Sequence, residues 1–223
     1  GATTQASTAG QVGTRVFNTG VTTITYTATD AALNVSSTST MTVTVTDNED
    51  PLLTCPGDIN VNNDVGNCSA VVIYTAPVGT DNCPGATTVQ TDLTGLTSGD
   101  AFPVGTTTLE YTVTDASGNT AICSFDVIVT DNEDPTVTAS GNVGVNTDFG
   151  LCSASVTITD ATVTDNCPGA TVAYTLTGAT TQASTAGQVG TRVFNTGVTT
   201  ITYTATDAAL NVSSTSTMTV TVT

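Results

Sequence analysis

The sequence has no histidine, no lysine and no tryptophan, and its basic side chains are Arg15 and Arg192 alone. Without His or Lys, carboxylates are the main general bases left, so nucleophile pairs that rely on a His or Lys base are excluded. Two acids can still cleave a glycoside, but that needs a cleft holding one acid with a raised pKa. Every acidic cluster here sits instead in a turn or linker pattern, and no enzymatic activity is expected. The formal charge of −17 argues against nucleic acid and anionic membrane surfaces as partners and in favour of cations. No apolar run approaches the ~20 residues of a spanning helix, so no membrane insertion is expected. No leader is visible, which suggests a mature chain or an internal segment.

What remains is a β composition. Thr, Val, Gly, Ser and Asn dominate, and the acids are mostly Asp, which favours turns and cation loops where Glu favours helices. Apolar and Thr residues alternate. Leu109, Tyr111 and Val113 share one face of a strand, as do Ile201, Tyr203 and Ala205, then Cys123, Phe125, Val127 and Val129, then Met218, Val220 and Val222. Turn strings such as NNDVGN, TSGDAFPVG and DASGN punctuate these runs. Period-2 strands at this spacing predict an all-β fold of tandem immunoglobulin-like sandwich modules. Tyr26, Tyr111 and Tyr203 stand four residues before a turn Asp, where a tyrosine corner would place its hydroxyl on backbone.

The chain also repeats itself. Residues 1–46 and 178–223 are identical. Unbroken identity is not a packing requirement, because cores accept swaps, and it points to an array of near-identical units. A finer repeat lies inside: TDNEDP recurs at 46–51 and 130–135, and TDNCPGAT recurs around Cys83 and Cys167. The expected organisation is residues 1–46 as the later half of one module, 47–130 as a complete module and 131–223 as a second. Alone, 1–46 would expose Ile24, Tyr26, Met41, Val43 and Val45. Either it is a window on a longer periodic chain, or subunits complete each other by strand donation. The segment 178–190, small and polar, reads as a loop or an edge strand that contacts another subunit.

The string DNEDPLLTCPGDINV, followed by GNCSAVV, TDNCPG, FPVGTTT, TDASGN and CSFDVIV, resembles the hyalin repeat, or HYR, family across 47–130. The resemblance is partial over 131–223, which lacks the CP, the FPVG and the last Cys. It implies an extracellular or cell-surface, immunoglobulin-like unit used in tandem by adhesive proteins, many of them bacterial, with a structural or adhesive role. The second module keeps Cys152 and Cys167 but has Ala139 and Ser216 in place of Cys55 and Cys123. Joint loss suggests that the lost pair is bonded. The expected disulfides are therefore Cys55–Cys123, Cys68–Cys83 and Cys152–Cys167, with bonds from Cys152 and Cys167 to neighbouring chains as the alternative. The absence of Lys excludes Lys–Asn isopeptide bracing.

In such a sandwich the entering linker and two turns meet at one pole. Asp47, Glu49, Asp50, Asp81, Asp115 and Asn119 would converge before the first module, and Asp131, Glu133, Asp134, Asp165 and Asp207 before the second. Crowded carboxylates repel unless an ion neutralises them, so calcium is the expected cofactor. The bland alternative is solvated turns, since Asp and Asn favour turns anyway. Asn34, Asn67 and Asn211 begin N-x-S sequons, and glycans are a further candidate. The expected function is a structural subunit of an extracellular filament or stalk that associates with its own copies through calcium-stiffened junctions. The competing function is an adhesive module that grips glycan or protein.

Overall fold

Antiparallel strand pairs account for most of the fold, as the Thr/apolar alternation requires. In the computed structural model, residues 3–5 and 8–223 are described, and residues 1, 2, 6 and 7 of the repeated segment lie outside them. Among the described residues there is no helix. The chain divides into two compact units of discontinuous segments. The first is Gly1–Gly57, Thr75–Gly95 and Thr108–Phe125; the second is Asp58–Tyr74, Leu96–Thr107 and Asp126–Thr223.

In the second unit a five-stranded sheet runs in the order Val143–Val145, Ser216–Val222, Gly197–Thr206, Thr171–Gly178 and Gln182–Ala186. The segment 178–190 thus supplies an edge strand. The first of these strands runs parallel to the last in sequence, and the rest are antiparallel. Strands Ser153–Thr157 and Thr191–Asn195 form a separate antiparallel pair. The core draws on both sheets. Ile201, Tyr203, Ala205, Val220 and Phe194 are each fully buried, with Ala154, Val156, Leu176 and Met218 beside them. This is the face that the period-2 pattern marks.

The first unit pairs Gly20–Tyr26 with Ser39–Val45 antiparallel, setting Ile24 opposite Met41. It also pairs Thr87–Gln90 with the end of Gly105–Thr114. Leu109 and Val113 are fully buried, and Tyr111 stacks on Phe125 at 6.4 Å. The duplicated segment behaves differently in its two settings. Met218 is 1% exposed, whereas Met41, the same residue of the repeat, is 48% exposed. Identical letters give identical pairing here, but burial depends on what the strand packs against.

The tyrosine-corner expectation is corrected. Tyr203 Oη is buried without a hydrogen-bond partner, Tyr26 Oη donates to Met41 Sδ, and Tyr111 Oη donates to Gln90 Oε1 at 3.1 Å. Tyr203 and Tyr111 are core filler, and the hydroxyls of Tyr26 and Tyr111 reach side chains. Tyr203→Phe is therefore expected to leave stability unchanged or raise it by up to about 1 kcal/mol, because it removes an unpaired buried hydroxyl. A urea midpoint checks this.

Three turns share the spacing D-x-x-x-N. In each, the Asp carboxylate accepts the Asn backbone N–H at 2.8 Å and its side-chain amide at 2.7–2.9 Å: Asp30 with Asn34, Asp115 with Asn119, Asp207 with Asn211. The residue before the Asn takes positive φ. Gly118 does so at 95°, but Leu33 and Leu210 do so at 69° and 73°. A leucine there is strained by its Cβ. Leu210 is 78% exposed and has little packing to lose. Leu210→Gly is expected to stabilise by about 1 kcal/mol, read as a rise in thermal midpoint.

Candidate metal centre

Each unit gathers three titratable groups, from three sequence-distant turns in the second unit and from two in the first. In the second unit Asp131, Asp165 and Asp207 place one carboxylate oxygen each within 4.8 Å of one another. In the first, Asp47, Asp81 and the Cys83 thiol do the same. The positions correspond through the internal repeat: Asp131 stands where Asp47 does in TDNEDP, and Asp165 where Asp81 does in TDNCPG.

Local turn chemistry builds both clusters. Asp47 and Asp131 each use Oδ1 to accept the backbone N–H two residues on, from Glu49 and Glu133, at 3.2 Å. Asp81 and Asp165 use Oδ2 to accept from the backbone of Cys83 and Cys167, at 2.9 and 3.2 Å. One oxygen of each carboxylate is thereby fixed by its own turn. In Asp47, Asp81 and Asp165 the other oxygen is left over. Asp47 Oδ2, Asp81 Oδ1, Asp165 Oδ1 and Asn166 Oδ1 are buried with no hydrogen-bond partner. Buried polar atoms are rarely left this way, and unpaired carboxylate oxygens are costly.

The third turn is stitched to the linker. Asn211 donates to the backbone carbonyl of Asp131 at 3.2 Å while holding Asp207. Asn119 donates to the carbonyls of Asp47 and Glu49 at 3.4 and 3.2 Å while holding Asp115. Asp115 and Asp207 are both buried, at 6% and 5% exposure. Burial pushes the Asp115 carboxyl up, but the Asn119 amide and backbone more than offset it and hold it below the usual carboxylate range. Asp165 goes the other way. Burial first, and then the charges of Asp131 and Asp207, raise its pKa. Three crowded acids, one of them with an unpartnered buried oxygen and none with a cationic partner among the described residues, form a donor set that suits a hard cation.

Other expected ligands are placed elsewhere. Asp50 and Asp134 are exposed and belong to neither cluster. Glu49 Oε2 accepts from Asn82 at 2.7 Å. Glu133 Oε1 accepts from Gly66 N at 2.7 Å and Asn63 Nδ2 at 3.3 Å, so it braces a loop. Asn63 and Asn211 are organisers that the sequence reading passed over; the shared D-x-x-x-N spacing would have found the second. The amides of the sequon residues are engaged: Asn34 with Asp30, Asn67 with the Val65 carbonyl at 3.1 Å, and Asn211 as above.

The cysteine pairing needs correction. Cys55–Cys123 forms, but Cys68 bonds Cys167, not Cys83. Cys83 and Cys152 are free thiols. The cause is the loop before Cys68. Asn63 Oδ1 accepts Asn132 N at 3.0 Å, Gly66 N donates to Glu133, and Asn166 Nδ2 donates to the Asn67 carbonyl at 3.1 Å. These bonds carry Cys68 to the residue beside Asn166. The Asp47 carboxylate beside the Cys83 thiol is the main reason its pKa is raised.

The HYR domain profile matches residues 46–129. The chain belongs to the HYR family. It is 35% identical to hyalin of Strongylocentrotus purpuratus over 158 residues, which are 67% of this chain and 13% of that protein. Hyalin of Lytechinus variegatus is also 35% identical, over 201 residues, 87% of this chain and 35% of that one. The chain therefore spans a minor part of both relatives. Among solved structures, domains EC1-2 of human mucin-like protocadherin align over 77% of this chain and 98% of theirs, with 13% identity and a TM-score of 0.40. As an HYR protein with disulfides in its fold, the chain is extracellular or displayed at the cell surface. No helix is long and apolar enough to cross a membrane, among the described residues.

Proposed function

We propose that this HYR protein is a structural segment of an extracellular filament or stalk, self-associating through tandem modules whose junctions are stiffened by calcium. The observation that carries this is the recurrence of one design. Linker Asp and TDNC Asp lie together in each unit, a D-x-x-x-N turn joins them through Asp207 in one and through the Asn119 bonds to the linker in the other, and buried carboxylate oxygens are left unpartnered in each. Asp131, Asp165 and Asp207 would hold one ion, and Asp47 and Asp81, with Asp115 close through Asn119, the other. Calcium fits an all-oxygen, carboxylate-rich set better than zinc, which favours Cys and His. An ion bonded to a linker and two turns at once removes the freedom of that linker. Exact repetition of residues 1–46 at 178–223 also suits a strut, which is copied without change, better than a binding surface.

Electron microscopy of material purified from its source, with calcium and after EGTA, tests this. Straight filaments that kink or dissociate on chelation are expected. Compact, calcium-indifferent particles would overturn it.

The loop bearing Phe149, fully exposed, and Leu151, 59% exposed, favours the second reading of an adhesive module. Phe149→Ala would then abolish surface attachment without altering filament form.

A further inference from the structure

Cys83 and Cys152 are the two sulfurs that the described fold does not use, and they are complementary members of a bond that the chain already makes once. The internal repeat places Cys152 where Cys68 stands and Cys167 where Cys83 stands. The observed Cys68–Cys167 bond, with its Cα atoms 4.9 Å apart, thus joins the second-cysteine position of one module to the third-cysteine position of the module that follows. Cys83 is an unused third position and Cys152 an unused second position. The segment 178–223 that follows Cys152 is identical to the segment 1–46 that precedes Cys83. When one copy of the repeat follows another, Cys152 of the first therefore stands to Cys83 of the second as Cys68 stands to Cys167.

The two second-position loops are built alike, bond for bond. Around Cys68, Asp64 N donates to Ser69 O, Asn67 N to Asp64 O, Val71 N to Asp64 Oδ2, and Val104 N to Cys68 O. Around Cys152, Asp148 N donates to Ser153 O, Leu151 N to Asp148 O, Ser155 N to Asp148 Oδ2, and Thr196 N to Cys152 O. The third positions match too: the Cys83 and Cys167 backbone N–H groups both donate to the Asp two residues before. Cys152 is exposed and Cys83 half-buried, so both are accessible, unlike Cys167 in its completed bond, which is buried.

We infer that successive copies of the repeat are joined covalently by a disulfide between Cys152 of one copy and Cys83 of the next. This rests on the reading of the protein as a repeating assembly. Two S–H bonds break and one S–S bond forms. The two electrons and, by way of solvent, the two protons pass to the disulfide of a thiol oxidoreductase and reduce it to its dithiol, in the oxidising compartment where Cys55–Cys123 also forms. A chain of such bonds runs the length of the assembly, so tension is borne covalently at every junction.

Peptide mapping without reduction tests this. A protease cleaving before Asp puts all six cysteines on separate peptides: 50–57, 64–80, 81–91, 115–125, 148–159 and 165–206. In material purified from its source, 81–91 is expected linked to 148–159, with no alkylation of either thiol. In the isolated 223-residue chain at high dilution, both thiols are expected to alkylate fully. Linkage of 64–80 to 81–91 and of 148–159 to 165–206 would overturn the inference. So would full alkylation of Cys83 and Cys152 in the source material, or an 81–91 to 148–159 link in the dilute monomer. Filaments with both thiols alkylated would refute this bond and leave the structural role standing.

Discussion

Saturating calcium is expected to raise the unfolding midpoint of the isolated chain by roughly 10–20 °C, and EGTA to reverse the shift. A site filled at one hundred times its dissociation constant adds about 2.7 kcal/mol, and two sites add about twice that. For a chain of this size each kcal/mol moves the midpoint by about 2–4 °C. The Asp131 cluster is expected to contribute more than the Asp47 cluster, because the latter has the Cys83 thiol where the former has a third carboxylate. Asp165→Asn separates two effects. It removes one of three crowded carboxylates, so the calcium-free protein should be as stable or more so, while the calcium shift falls by about half. The pH dependence has a definite sign. The Asp165 pKa is raised above the ordinary 3.8, so the folded state favours its protonated form. In calcium-free protein the stability that its charge costs is recovered as pH falls through the raised value towards 3.8. With calcium the charged form is favoured, and acid weakens binding by competition. A calcium shift that is unchanged in Asp165→Asn would contradict the assignment of the site.

Losing the Cys68–Cys167 bond is expected to cost about 4–5 kcal/mol. The bond closes a loop with a sequence separation of 99, and chain entropy assigns about 4.7 kcal/mol to a loop of about 100 residues. Cys55–Cys123 closes a shorter separation of 68 and is expected to contribute slightly less. Cys68→Ser should therefore lower the denaturant midpoint substantially, with unfolding of the second unit leading. Cys152→Ser should change almost nothing in the isolated chain, because Cys152 is exposed and bonds nothing there. Equal effects of the two substitutions would mean that the pairing described is not the one that braces the protein.

Much of this was legible in the residues. Period-2 runs at Leu109–Val113 and Ile201–Ala205 mark strands because a sheet with one buried face forces that alternation, and those residues are buried. The TDNEDP, TDNC and D-x-x-x-N strings announce turns because Asp and Asn bond their own backbone. Long-range partners were less legible. Cys68 prefers Cys167 because Asn63, Gly66 and Asn67 tie its loop to residues 132, 133 and 166, and no spacing rule reveals such ties. The logic of joint loss correctly pairs Cys55 with Cys123, but it treats each module as closed, and the chain bonds across its repeat. Glu49 and Glu133 looked like ligands, yet their longer side chains reach past the cluster to amide donors. The strain at Leu33 and Leu210 is invisible in sequence, because the glycine that would announce positive φ is absent there.

Stiffened junctions require that the paired clusters bind calcium. Equilibrium dialysis of the isolated chain against radioactive calcium measures that directly. Two ions per chain are predicted, the tighter lost in Asp165→Asn and the weaker in Asp81→Asn. Dialysis that finds no bound calcium at millimolar concentration, or binding that survives both substitutions together, would contradict it.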